Sequence, residues 1–237
     1  MMKKIKNILF DLDGTLLPMD QDQFVKRYLG GLVHALAKYG YEPKELADTI
    51  MYGTACMIKN DGSQTNETVF WNTFERKYPG KRESDTKYFD EFYANEFDKV
   101  SEVTKCDPMA ASLIRRIKDL GYKVVLATNP VFPEVATRKR AAWAGLNIDE
   151  FDYFTSYENS SYCKPNPKYY LEITEKLGLD PEECLMVGND VDEDMITETL
   201  GMSTFLIPRN ILNRSGKDIS VYNKGDFSDL LSYIEAL

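Results

Sequence analysis

The sequence predicts an α/β protein: a doubly wound, parallel-sheet core of Rossmann-like type carrying an all-helical cap domain. Three observations predict it. Apolar runs of strand length open the chain and recur from residue 123 onward. Helical stretches separate those later runs, and a parallel sheet covered on both faces is the arrangement such alternation demands. Between residues 18 and 103 the apolar positions keep helical spacing, with no convincing strand. The core is therefore assigned to residues 1–17 and 104–237, and the helical cap to residues 18–103.

Residues 4–10 read as the first strand, because Ile5, Ile8, Leu9 and Phe10 form an apolar run that stops at Asp11 and the turn-forming Gly14. After Pro18, the positions Phe24, Tyr28, Leu32 and Leu36 repeat at helical spacing until Gly40 supplies a stop. Further helices are expected over 43–59, over 66–78 with Thr65 as N-cap, and over 83–97. Asp107 and Pro108 then open a helix that Gly121 closes, and KVVLA at 123–127 forms the second strand. The same beat continues with a helix at 133–144, a strand at 153–155, a helix at 167–177 and a strand at 184–187. A helix at 193–200 closed by Gly201, a strand at 204–207, a loop at 208–225 and a surface helix at 226–237 complete the chain.

Composition narrows the function. The 29 Lys and Arg stand against 38 Asp and Glu, for a formal net charge of −9. Nucleic acid is bound chiefly by neutralising its phosphates with basic side chains, so no nucleic-acid partner is expected. An acidic surface is also repelled by the anionic cytoplasmic leaflet, and no apolar stretch is long enough to span a bilayer, so no membrane partner is expected either. The start of the chain lacks the apolar run of a signal peptide, so a cytoplasmic location is expected. Cys56, Cys106, Cys163 and Cys184 form no CxxC pair and are expected to be reduced, mostly buried thiols. The expected assembly is a monomer or weak homodimer.

In doubly wound sheets, ligands bind beyond the carboxyl ends of the strands, so the residues following each strand are the candidates. These are Asp11-Leu12-Asp13-Gly14-Thr15, Thr128-Asn129-Pro130, Lys164-Pro165, and Gly188-Asn189-Asp190 with Asp192 and Asp194 close behind. So many carboxylates at one edge repel one another, and a hard cation such as Mg2+ relieves this, since it accepts carboxylate, carbonyl and water oxygens. Asp11 and Asp13 lie two positions apart in extended chain and can face one substrate, while Gly14 lets the backbone turn closely around it.

At these residues the sequence resembles the haloacid dehalogenase superfamily, a group made mostly of phosphatases with an aspartate nucleophile. DxDGT matches Asp11 to Thr15, the hydroxyl after a strand matches Thr128, the lysine before proline matches Lys164, and VGNDVDED matches the acidic fourth motif. The resemblance implies removal of phosphate from a small phosphorylated metabolite through an aspartyl-phosphate intermediate. It implies that Asp11 attacks phosphorus and that Asp13 protonates the leaving oxygen and then activates water. Thr128 and Lys164 stabilise the charge that develops, with Gly14, Thr15 and Asn129 also contacting substrate. It places Mg2+ on the Asp11 carboxylate, the Asp13 backbone carbonyl and Asp190.

One departure is Asn189, where many relatives carry Asp; Asp190 is expected to replace that ligand, with Asn189 lending a neutral carbonyl or supporting a water, and Asp194 behind them. A sugar-phosphate mutase of the same family is the nearest alternative, and a non-catalytic phosphoacceptor or regulatory protein is another. The cap is expected to hinge near Pro18 and near residues 103–108. His34, the only histidine, and most aromatics of the insert are expected to serve packing or surface.

Overall fold

The computed structural model describes residues 4–237, so the reading of the extreme start rests partly on residues outside those described. Five strands, β1 (Asn7–Phe10), β2 (Lys123–Leu126), β3 (Tyr153–Phe154), β4 (Cys184–Gly188) and β5 (Ser203–Leu206), form one sheet in the order β3-β2-β1-β4-β5. Every adjacent pair is parallel. The chain builds outward from β1 on one side, then returns to build on the other. The switch point therefore lies between β1 and β4, where ligands of such sheets sit.

The strands are continuous apolar runs because both faces of the sheet are covered. Ile8 and Phe10 face the same cluster as Val124, Leu126, Leu185 and Val187, while Leu9 packs with Val125, Ala127 and Met186 on the opposite face. That opposite cluster is closed by Tyr169, Tyr170 and Ile173 of α7 (Pro167–Leu177). Phe10 lies level with Leu126 and with Val187. Asp11, Thr128 and Asn189 consequently emerge together at one edge.

Between β1 and the next core helix, α5 (Pro108–Asp119), run α1 (Gln21–Ala37), α2 (Pro43–Ile58), α3 (Asn66–Lys77) and α4 (Lys81–Asn95), then a 3-10 segment at Phe97–Val103. No strand interrupts them. Thr65 caps α3 by accepting from Thr68 N, and Asp107 caps α5 by accepting from Met109 N. Aromatic packing holds the insert together: Phe74 sits 5.5 Å from Trp71, 5.3 Å from Phe89 and 5.0 Å from Tyr78, centroid to centroid. Truncating so enclosed a ring to alanine costs about 3–5 kcal/mol.

The two linkers of the insert pair with each other, since Met19 and Thr104 form an antiparallel bridge and Lys105 N donates to Pro18 O at 2.9 Å. A third attachment was not foreseen from sequence. At the start of α3, Asn66 N donates to Ser160 O and Glu67 N to Tyr157 O, both at 2.8 Å. The Asn66 side chain reaches Pro130 O at 3.2 Å and Tyr162 O at 3.3 Å. The insert is thus fastened to the loop after β3 as well as to its linkers.

Several boundaries differ from expectation. The first strand begins at Asn7, although Lys6 N still donates to Glu183 O and Lys6 O still accepts from Lys123 N. The helix expected at 193–200 is a 3-10 segment, Met195–Leu200, because Asp190 and Asp194 draw the preceding residues into turns. α4 starts and ends two residues early, and β5 runs Ser203–Leu206. The loop over 208–225 contains two 3-10 turns, Pro208–Asn210 and Ile219–Val221. α6 (Glu134–Trp143) and α8 (Phe227–Glu235) fall within their expected ranges. Cys163 and Cys184 are buried, but Cys106 is exposed and Cys56 half-buried, which corrects the expectation of mostly buried thiols; all four are free. Among the described residues no helix is long and apolar enough to cross a membrane. His34 is exposed in the last turn of α1.

Candidate active site

β1 delivers Asp11 to the switch point, where its backbone N donates to Val187 O at 2.9 Å. The buried carboxylate is held on both oxygens: Lys164 Nζ lies 2.7 Å from Oδ1, and the Thr15 hydroxyl 3.0 Å from Oδ2. Lys164 is itself buried and makes a second ion pair with Asp194 Oδ1 at 2.7 Å. Burial alone would discharge the ammonium, but Asp11 and Asp194 outweigh it and hold Lys164 well above its ordinary pKa. The peptide bond from Lys164 to Pro165 is cis.

Asp13 is answered by a residue that sequence reading missed. Arg140, on α6 and wholly inaccessible, forms an ion pair with Asp13 Oδ2. Its guanidinium also lies 4.5 Å from the Phe132 ring centroid and donates to Thr137 Oγ1 at 3.2 Å. Burial raises the Asp13 carboxyl above its ordinary pKa, with Arg140 opposing. The other oxygen, Asp13 Oδ1, is buried without a hydrogen-bond partner, and so are Thr128 Oγ1 and Asn129 Oδ1. Buried polar atoms left unpaired are costly, and three from neighbouring strand ends mark a place for a polar ligand.

Thr128 is fixed by its backbone, whose carbonyl accepts from Thr155 Oγ1 at 2.6 Å and from Tyr169 OH at 2.8 Å. Its hydroxyl faces the Asp13 carboxyl, whose ionised form it favours, without a fully formed hydrogen bond. The Asn129 amide donates to Glu193 Oε2 at 3.3 Å.

The fourth strand end is a tight knot. Asp194 Oδ2 accepts from Asp190 N at 3.0 Å, so its carboxylate folds back over Gly188. A Cβ on Gly188 would lie 2.0 Å from that oxygen, so only glycine fits. Asn189 accepts from Thr15 at 2.9 Å and donates to Asn210 O at 2.6 Å. Both ends of this amide are therefore engaged in holding loops together, and Thr15 turns its hydroxyl to Asp11 and Asn189 instead of outward. Gly14, at a φ of +92°, brings its backbone so close to Asn189 that a Cβ would lie 2.4 Å from Nδ2. Asp190 caps the following turn through Oδ1, accepting from Asp192 N and Glu193 N, while Oδ2 accepts from Arg214 at 2.6 Å. Arg214, from the loop after β5, is the second basic residue the sequence reading missed.

Charge at this edge is unbalanced. The carboxyls of Asp11, Asp13, Asp190, Glu193 and Asp194 outnumber Lys164, Arg140 and Arg214 by two. Burial, opposed by Lys164, pushes Glu193 up to about 6 and Asp194 up to about 7. Among the described residues no three His, Cys, Asp or Glu side chains converge as ligands; the expected set needs only two carboxylates and a backbone carbonyl. Those hard oxygens and the excess of carboxyls over basic side chains fit a divalent cation such as Mg2+.

Asp11, Asp13, Asn189 and Asp190 form the floor of a cavity of about 240 Å3. Its walls come from α1 to α4 and from residues 131–133, and they are largely apolar. Of the insert's aromatics, expected mostly to pack with one or two lining a pocket, Tyr28, Phe70, Trp71 and Phe89 all face this space, and Tyr52 is 64% exposed instead of buried.

Comparison with known proteins places this fold and site in a family. A family profile described as haloacid dehalogenase-like hydrolase matches residues 5–197, and the chain belongs to that family. YhcW of Bacillus subtilis (strain 168) is 29% identical over 115 residues, 48% of this chain and 51% of its own length, so the chain spans about half of that relative. Pyrophosphatase PpaX of Bacillus cereus (strain G9842) is 25% identical over 239 residues, covering 97% of each chain. A solved HAD phosphatase from Thermococcus onnurineus shares the fold with a TM-score of 0.59 at 22% identity, covering 97% of this chain and 98% of the other.

Proposed function

We propose that this chain is a magnesium-dependent phosphatase acting on a small phosphorylated metabolite through an aspartyl phosphate at Asp11. One observation carries this reading: the Asp11 carboxylate stands on the cavity floor with Lys164 at 2.7 Å, beside the unpartnered Asp13 Oδ1. The nucleophile stands against the Lys164 ammonium, and the adjacent carboxyl has an oxygen open to a proton. That division of labour is what a two-step displacement requires.

In the first step an Asp11 oxygen forms a bond to phosphorus, the bond from phosphorus to the leaving oxygen breaks, and Asp13 supplies that oxygen with a proton. In the second a water attacks phosphorus, Asp13 takes its proton, and the bond to Asp11 breaks to release inorganic phosphate. The raised pKa of Asp13 supports its acid role. Thr128 Oγ1 would donate to a phosphoryl oxygen, satisfying an otherwise orphaned group. The Asp11 carboxylate, Asp13 carbonyl and Asp190 would hold Mg2+, which supplies charge neutralisation for the phosphoryl oxygens. Arg214 would then share Asp190 with the metal.

Residues 18–103 would act as a cap over a core of residues 1–17 and 104–237, moving about the paired linkers at Met19 and Thr104. The relative PpaX is named a pyrophosphatase, which supports phosphate release without identifying this substrate. The reading is tested by p-nitrophenyl phosphate hydrolysis across a magnesium titration. Turnover that rises with magnesium and disappears with chelator is expected; absence of turnover at every metal concentration contradicts it.

A further inference from the structure

We infer that the substrate is a phosphate monoester whose leaving alcohol carries one aromatic ring, or an apolar ring of like size, and no second anionic group. This deepens the phosphatase reading above and rests on it. The wall facing Asp11 and Asp13 is built from Phe24, Tyr28, Phe70, Trp71, Phe89 and Tyr93. The hydroxyls of Tyr28 and Tyr93 bond each other at 2.8 Å, so both rings are left to act as apolar surface. Trp71 is braced edge-on by Phe70 at 5.4 Å and by Phe89 at 5.2 Å, a geometry that favours a fixed aromatic wall over a yielding one.

The charge of the cavity points the same way. No Lys, Arg or His from residues 18–103 lines the cavity, and the one carboxylate that segment contributes is the exposed Asp90. The cations nearest the floor are already matched: Lys164 to Asp11 and Asp194, Arg140 to Asp13, and Arg214 to Asp190. A second phosphate or a carboxylate on the leaving group would enter this wall with no basic partner and with Asp90 nearby, and an unpaired buried charge is strongly disfavoured. Pyrophosphate, phosphoglycolate and bisphosphorylated sugars all carry that group.

Size agrees. An apolar void of about 150 Å3 holds benzene, and this cavity of about 240 Å3 leaves room for one ring and the phosphoryl group.

The test uses the full chain with magnesium and compares kcat/KM for benzyl phosphate, propyl phosphate, 2-phosphoglycolate and inorganic pyrophosphate. The three esters leave as primary alcohols, so the comparison reads binding more than leaving-group reactivity. Benzyl phosphate is expected to lead each of the others by about 10- to 100-fold, the gain expected from burying a ring. Equal or faster turnover of 2-phosphoglycolate or pyrophosphate overturns the substrate class while leaving the phosphatase reading intact. Phosphate release from none of the four, nor from p-nitrophenyl phosphate, overturns both. As an independent arm, Asp90→Lys is expected to shift the ratio of kcat/KM at least about threefold toward 2-phosphoglycolate; an unchanged ratio counts against the inference.

Discussion

Arg140 and Asp13 meet at the edge of the cavity as an ion pair whose guanidinium is wholly shielded from solvent. A charge so placed is tolerable only with its partner, because removing one member leaves the other desolvated and unmatched. Arg140→Met is therefore expected to destabilise the protein by about 3 kcal/mol, read from urea unfolding. Adding Asp13→Asn should recover part of that loss, since the orphaned carboxylate is then gone. If the double variant is as unstable as the two single losses combined, the two residues are not coupled.

Asn189 holds three segments together through one amide, and the prediction follows from its geometry. Asn189→Asp would set a carboxylate oxygen against the Asn210 carbonyl, where a 2.6 Å hydrogen bond now stands. A loss of about 1–3 kcal/mol is expected. A more stable variant would show that the position tolerates an acid.

Asp85, in α4 and remote from the site, offers a test in pH. Burial would raise its carboxyl, but hydrogen bonds from Ser84, Tyr41 and Lys81 prevail and hold it below the ordinary value. The folded carboxyl thus releases its proton at lower pH than the unfolded one, near 4 in model peptides, ~3.9. Its contribution is fully present above that unfolded pKa and is lost as pH falls through the folded one. The stability gap between the native chain and Asp85→Asn should be largest near neutrality and shrink on acidification; a gap that widens toward acid contradicts the assignment.

Asn66 is the side chain that ties the insert to the loop after β3, with Pro130 O and Tyr162 O among its partners. Asn66→Ala is expected to cost about 2 kcal/mol and to raise amide hydrogen exchange at residues 157–163. Unaltered exchange there would place the fastening elsewhere.

The parts of this protein that were readable from sequence are those written locally. Asp11, Asp13, Thr128 and Lys164 each follow an apolar run or precede a proline, so strand-end logic finds them. Arg140 was not found because it sits in the basic run Arg138, Lys139, Arg140, and only the fold sorts the three. Arg138 pairs with Glu134 and Asp149 and Lys139 with Asp98, both near the surface, while Arg140 turns inward. A trace was present: Ala136, Thr137, Arg140, Ala141 and Ala144 share one helical stripe, and an arginine on that stripe needs a buried partner. The 3-10 form of Met195–Leu200 was hidden for another reason. Asp190 is expected from sequence as a metal ligand with Asp194 behind it, at the opening of a helix, whereas both carboxylates also accept from backbone and basic partners within the site.

Phosphoryl transfer to Asp11 is read by acid-quenching the enzyme during turnover of a radiolabelled phosphate monoester, followed by peptide mapping. Acid-stable label is expected on the peptide containing Asp11, and none in Asp11→Asn, which should also lose turnover. Label on a different residue, or full activity in Asp11→Asn, contradicts it.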